Sequence, residues 1–220
     1  MALARCMALL LVSCSLVMSG CNIVGFFGAI EAERRRTGTI KVDAQYTGLE
    51  GQSVAVIVDA SRDLQADGRG LIQAVLTEVI ARLEANGKTK SIVPALQIER
   101  VLYDEPDLLG RTYDEIARRF GVDRLVVIQL EEFRLAEPGN LYVWSGLAAA
   151  ELLVVEADSY IEDDVRFQAY VTVKYPTKDN TTIDDMPADA VALELLRRFA
   201  NRTSWFFYRH DERYQEYQEY

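Results

Sequence analysis

Apolar residues change their spacing along this chain in a way that separates its elements. Residues 6–18 are almost all apolar, follow Arg5 and end in the small pair Ser19-Gly20. A shorter apolar stretch with two glycines, NIVGFFGAI at 22–30, gives way to the polar EAERRRTGT. The continuous run Val54-Ala55-Val56-Ile57-Val58, between Gly51 and Asp59, predicts a strand buried on both faces. DGRG at 67–70 reads as the connection from that strand to a helix. Leu71, Ile72, Val75, Leu76, Val79, Ile80 and Leu83 then recur at helical spacing up to a glycine stop at Gly87.

The alternation continues. Ser91-Ile92-Val93-Pro94 predicts a short strand closed by proline, and residues 95–102 predict a short helix with Ile98, Val101 and Leu102 inward. Thr112-Tyr113-Asp114-Glu115 has the capping-box form ahead of Ile116, Ala117 and Phe120, and Gly121 ends that helix. RLVVIQL at 124–130 is the clearest buried strand.

From residue 141 the period shortens. An apolar stretch to Glu156 is followed by the acidic connection EADSYIEDD. Val165, Phe167, Ala169, Val171, Val173 and Tyr175 then alternate with polar or outward positions, as in a half-buried strand. A last helix starts near Pro187, with Val191, Leu195, Leu196 and Phe199 on one face, and leads to a core-sealing cluster, Trp205-Phe206-Phe207-Tyr208. The expected fold class is α/β: a single mixed sheet of four to five strands flanked by helices. The strands at 142–155 and 165–175 are long enough to cross a membrane as a tilted hairpin of an oligomeric barrel. The same pattern suits a hairpin with one face on its own core, which is the preferred reading.

With 220 residues, half of them apolar, the chain supports one sizeable core. A formal net charge of −10 argues against a nucleic-acid groove or an anionic-lipid patch. The basic triplet Arg34-Arg35-Arg36 reads as a solvated linker. All three cysteines, Cys6, Cys14 and Cys21, precede the folded part, which leaves no disulfide framework or zinc site. His210 is the only histidine, so a histidine metal cluster or a serine–histidine triad is not expected. No cofactor is implied. The acid pairs Glu131-Glu132, Asp163-Asp164 and Asp184-Asp185 read as solvated surface; an acid–base role would need Glu131, Glu132 or Asp123 to converge in a pocket. DGRG lacks the lysine and spacing of a phosphate loop.

The amino-terminal run has the three-region pattern of a secretory signal and falls short of the twenty or so residues that span a bilayer. Ser19-Gly20-Cys21 resembles the bacterial lipobox, with Met18 in place of the usual Leu. That resemblance implies that Cys21 is lipidated and is the first mature residue, since cleavage removes Cys6 and Cys14. The implied organisation is a lipoprotein signal peptide at 1–20, a tether at 21–41, an α/β periplasmic domain at 42–210 and a polar tail at 211–220. Acyl chains at roughly 0.8 kcal/mol per buried methylene hold a protein on a membrane without a spanning segment. Asn22 stands where enterobacterial-type sorting uses Asp for inner-membrane retention, which implies the outer membrane, facing the periplasm.

The element order, together with Ile116-Ala117-Arg118-Arg119-Phe120-Gly121-Val122-Asp123-Arg124-Leu125-Val126-Val127, resembles a superfamily of envelope lipoproteins. It includes the curli secretion-channel lipoprotein, the lipoprotein activators of penicillin-binding proteins and the amino-terminal domain of TolB. The similar region is roughly 51–174. At this helix-to-strand junction the resemblance implies a left-handed helix stop at Gly121 and a turn cap at Asp123. It also implies a non-catalytic periplasmic adaptor or assembly factor that binds an envelope protein partner. The alternative is a subunit of an oligomeric outer-membrane secretion channel, and homo-oligomerisation stays open. The family's T-G-E hairpin is replaced here by an acidic loop, and no second membrane hairpin is present, which favours the adaptor.

Overall fold

A computed structural model describes residues 38–67, 69–140, 142–157, 163–177 and 180–213. In chain order the elements are β1 (Thr39–Val42), β2 (Ser53–Ala60), α1 (Arg62–Asp67), α2 (Arg69–Asn86), β3 (Ser91–Ile92) and α3 (Ala95–Asp104). A 3₁₀ turn (Leu108–Gly110) leads to α4 (Tyr113–Phe120), β4 (Arg124–Arg134), β5 (Gly146–Glu156), β6 (Val165–Tyr175), α5 (Ala188–Trp205) and β7 (His210–Arg213). Two compact units result, and the larger spans Ala44–Tyr208.

The larger unit is a five-stranded mixed sheet in the order β3-β2-β4-β5-β6. β2 pairs in parallel with β3 and β4, whereas β4, β5 and β6 run antiparallel in sequence. The sequence reading of a mixed α/β sheet with helices against it is what the chain adopts. β2 and β4 sit at the centre because their β-branched runs are apolar at successive positions: Val54, Ala55, Val56 and Ile57 are buried, as are Leu125 to Ile128. α2 turns Val75, Leu76, Val79, Ile80 and Leu83 inward and packs on β2 and α5. α5 in turn covers β5 and β6 with Val191, Leu195 and Phe199. Val171 and Val173 of β6 are buried, so the β5–β6 hairpin has one face on its own core.

The capping box at α4 forms as read. The Thr112 Oγ1 accepts from the Glu115 N–H, and the Glu115 carboxylate accepts from the Thr112 N–H. Gly121 closes that helix at φ +67°, the left-handed region that costs other residues strain.

Three readings change. DGRG is not the strand-to-helix connection, because Asp67 ends the short helix α1, and Arg69 and Gly70 open α2. The amphipathic periodicity of α2 begins at Leu71, and the preceding RDLQAD is too polar to announce a helix of its own. Gly87 does follow the last residue of α2, but Lys88 takes the positive φ of 52°. A Cβ on Gly87 would approach the Leu83 carbonyl oxygen to 2.7 Å, so close packing selects the glycine there. Finally, residues 142–145 do not extend β5. Val143 instead bridges Thr182, and the strand starts at Gly146, where a Cβ would collide with the Tyr175 carbonyl.

The smaller unit contains β1 and β7, paired antiparallel with Thr39 opposite Arg213 and Val42 opposite His210. Residues 39–41 of β1 and 211–213 of β7 fall in the spans read as a tether and a polar tail, while Val42 and His210 fall at the two edges of the span read as the domain. TIKV has β-branched alternation but only four residues of it, and HDER has no apolar alternation at all, so neither stands out alone as a strand.

Candidate interaction surface

The three acids singled out for possible chemistry are held apart. Asp123 stands at the start of β4, and its Oδ2 accepts from the Ser53 N–H (3.0 Å) and the Ser53 Oγ–H (2.6 Å) at the start of β2. The Asp123 N–H donates back to Ser53 Oγ at 2.9 Å. These bonds, above all the one from the Ser53 side chain, hold the Asp123 carboxyl below the usual carboxylate range. Asp123 therefore clasps two strands rather than capping its own turn. Glu131 and Glu132 lie near the other end of β4. Glu131 accepts from the Tyr170 hydroxyl at 2.6 Å, which raises that phenol's pKa, and Glu132 pairs with Arg134 at 2.5 Å. The convergence that an acid–base reading requires is absent from these three residues. Cys21 lies outside the described residues.

A second polar cluster braces the sheet at the Asp123 end. The Tyr46 hydroxyl donates to Glu156 Oε1 at 2.8 Å, and the buried Arg124 Nε lies 3.6 Å from the same oxygen. Burial, reinforced by the bond to Glu156, pushes the Tyr46 phenol up to about 12. Its ring packs on Phe167 and, edge-on, on Phe207. The Tyr46–Glu156 bond and the ring contacts tie a loop to β5 and β6, which is a structural role.

Two concavities among the described residues bear on function. One, of ≈ 610 Å³, is lined by Arg134, Glu137, Trp144, Ser145, Lys174 and Asn180 among others. Its polar groups are largely occupied. Arg134 donates to Glu132, Glu137 and the Ser145 carbonyl, and the Trp144 indole N–H donates to the Met186 carbonyl.

The other is an apolar groove of ≈ 500 Å³ where α1, α2 and α5 meet the far end of β4. Leu64, Leu71, Phe133, Leu135, Leu193 and Leu196 line it, and Asp189 marks its rim. Leu193 is 68% exposed, so this groove continues onto an uncovered apolar surface. Isolated exposed leucines are ordinary, whereas Leu193 is contiguous with an open apolar concavity. The sequence pattern places Leu71 and Leu196 on inward helix faces but marks none of these six residues as a site. The available signal was Leu193 itself, a leucine lying outside the inward stripe of Val191, Leu195 and Phe199 on α5.

The fold is a mixed α/β domain with an open apolar groove where its helices meet the far end of β4. No protein-family model matches the chain, and no curated protein does. Solved structures to which it is similar include the PelC dodecamer from Paraburkholderia phytofirmans, at 12% identity and TM-score 0.44, over 78% of this chain and 98% of that one. Lipoprotein GNA1162 from Neisseria meningitidis is similar at 12% identity and TM-score 0.44, over 68% and 98%. The LpoB C-terminal domain from Salmonella enterica is similar at 12% identity and TM-score 0.30, over 58% and 84%.

Proposed function

We propose that this chain is a lipid-anchored, non-catalytic protein of the bacterial cell envelope that binds a protein partner through the apolar groove. In this reading an acylated Cys21 holds it on the outer membrane, and the α/β domain faces the periplasm as an adaptor or assembly factor. The anchor rests on Ser19-Gly20-Cys21 at the end of a short apolar run. Partner binding rests on one observation, the open groove with Leu193 exposed on it. Covering the exposed part of that side chain is worth about 1–2 kcal/mol, a useful share of a modest interface. Tethering contributes the rest by raising the local concentration of the domain near partners at the same membrane.

The test is site-specific photocrosslinking in intact cells. A crosslinker at Leu193 should give an adduct of discrete mass, while one at Glu84, exposed on α2, should give none. Equal labelling from both positions would overturn the groove reading. Cys21→Ser should release the protein from the membrane fraction and abolish acyl labelling, and unchanged fractionation would overturn the anchor. A detergent-extracted particle with the mass of a large ring would replace the adaptor by a channel subunit.

A further inference from the structure

We infer that the partner segment is cationic: bulky apolar side chains enter the groove, and Lys or Arg residues flanking them meet an acidic rim. This rests on the groove being the partner site and names the chemistry of what it takes. Asp189 lines the groove, and one of its oxygens accepts from the Ala190 N–H, which leaves the other for a cation. Asp63, beside the lining residue Leu64 on α1, is exposed. The cations nearest along α5, Arg197 and Arg198, donate to the carboxylate of Glu194 at 2.7–2.8 Å, so they do not offset the rim. That pairing, led by the bond from Arg197, holds the Glu194 carboxyl down at about 2. The net charge of −10 adds a long-range field of the same sign. A second copy of this chain would bring acid against acid at the rim, which disfavours self-association through this face. An anionic segment would meet the same repulsion.

The experiment uses the full chain in lipid nanodiscs and two fluorescein-labelled helical peptides. Both peptides present two leucines one turn apart; one flanks them with lysines and the other with glutamates. Fluorescence anisotropy at low salt should show the lysine peptide bound about tenfold more tightly, a gap that shrinks toward ~0.5 M salt. Asp189→Lys should narrow or reverse the preference, and Leu193→Asp should weaken the lysine peptide. Leu193→Ala, a milder change at the same exposed position, should weaken it less. Circular dichroism melts of each variant keep folding separate from binding. Equal binding of the two peptides, with both lost on Leu193→Asp, would overturn the cationic inference and leave the groove as a partner site. Binding unaffected by Leu193→Asp, or a fluorescent fatty acid that binds there when neither peptide does, would overturn both.

Discussion

Removing the Asp123 carboxylate tests whether the sheet is tied at its β2–β4 end as the geometry implies. Ser53 and Asp123 are seventy positions apart, and three hydrogen bonds join them through side chains. Asp123→Ala leaves the Ser53 N–H and Oγ without their acceptor. Bonds to a charged acceptor contribute about 1.5–3 kcal/mol, and at a half-buried site two of them lost together should cost about 2 kcal/mol. For a domain of this size each kcal/mol shifts Tm by about 2–4 °C, so the melt should fall by about 4–8 °C at neutral pH. The pH dependence has a definite sign. The folded-state pKa of Asp123 is lowered, chiefly by the Ser53 hydroxyl, so its ionic contribution is fully present above the ordinary Asp pKa of about 3.9. That contribution is lost as pH falls through the lowered folded value. The gap between the native chain and Asp123→Ala should therefore narrow in acid. Asp123→Asn, which keeps an acceptor but not the charge, should fall between the two. Thermal melts by circular dichroism from pH 7 down to the acid limit measure all three proteins. A neutral-pH shift below about 1 °C, or a gap that widens in acid, would refute the clasp.

Three further outcomes follow from the same structure. Subtracting the ultraviolet titration of Tyr46→Phe from that of the native chain should isolate a phenol titrating near 12, and any stability it contributes should be lost as pH rises through that value; a difference curve centred near 10 would refute its burial against Glu156. Gly121→Ala should cost about 1–2 kcal/mol by denaturant melt, and Gly121→Asn less, because a Cβ there meets nothing within 4 Å and only the positive φ is strained. Val127→Asp should abolish the cooperative melt, since a charge in place of a 1% exposed valine is unpaired and costs several kcal/mol; a native-like melt would mean that β4 is not the central strand.

The parts of the fold that sequence reveals are those where local pattern and burial agree. The apolar runs at Val54 and Leu125, the alternation of β6, the stripe on α5 and the Thr112–Glu115 box each satisfy a spacing rule within one element, and each forms where expected. The parts it hides depend on remote partners. Asp123 could be read only against its own turn, because Ser53 lies in a different strand. β1 and β7 stabilise each other by pairing, and the polar HDER of β7 carries no internal strand signal to announce it.

The groove is the strongest instance, because a single extra residue builds it. Val126, Ile128 and Leu130 alternate along one face of β4, and continued alternation would send Phe133 to the opposite face. The register with β5 slips between Leu130 and Glu132, which makes Glu131 the extra residue of a bulge. Leu130 lies opposite Ala150 and Phe133 opposite Ala148, two positions on the same face of β5. The bulge therefore returns Phe133 to the helical side of the sheet, where it lines the groove together with Leu71, Leu193 and Leu196. A period-2 reading of the sequence cannot register that inversion, since Glu131-Glu132 looks like an acidic surface pair in either phase. The same slip leaves Glu131 outward, in reach of the Tyr170 hydroxyl. One inserted residue thus accounts both for an acid pair whose members engage Tyr170 and Arg134 separately and for the apolar surface that carries the binding proposal.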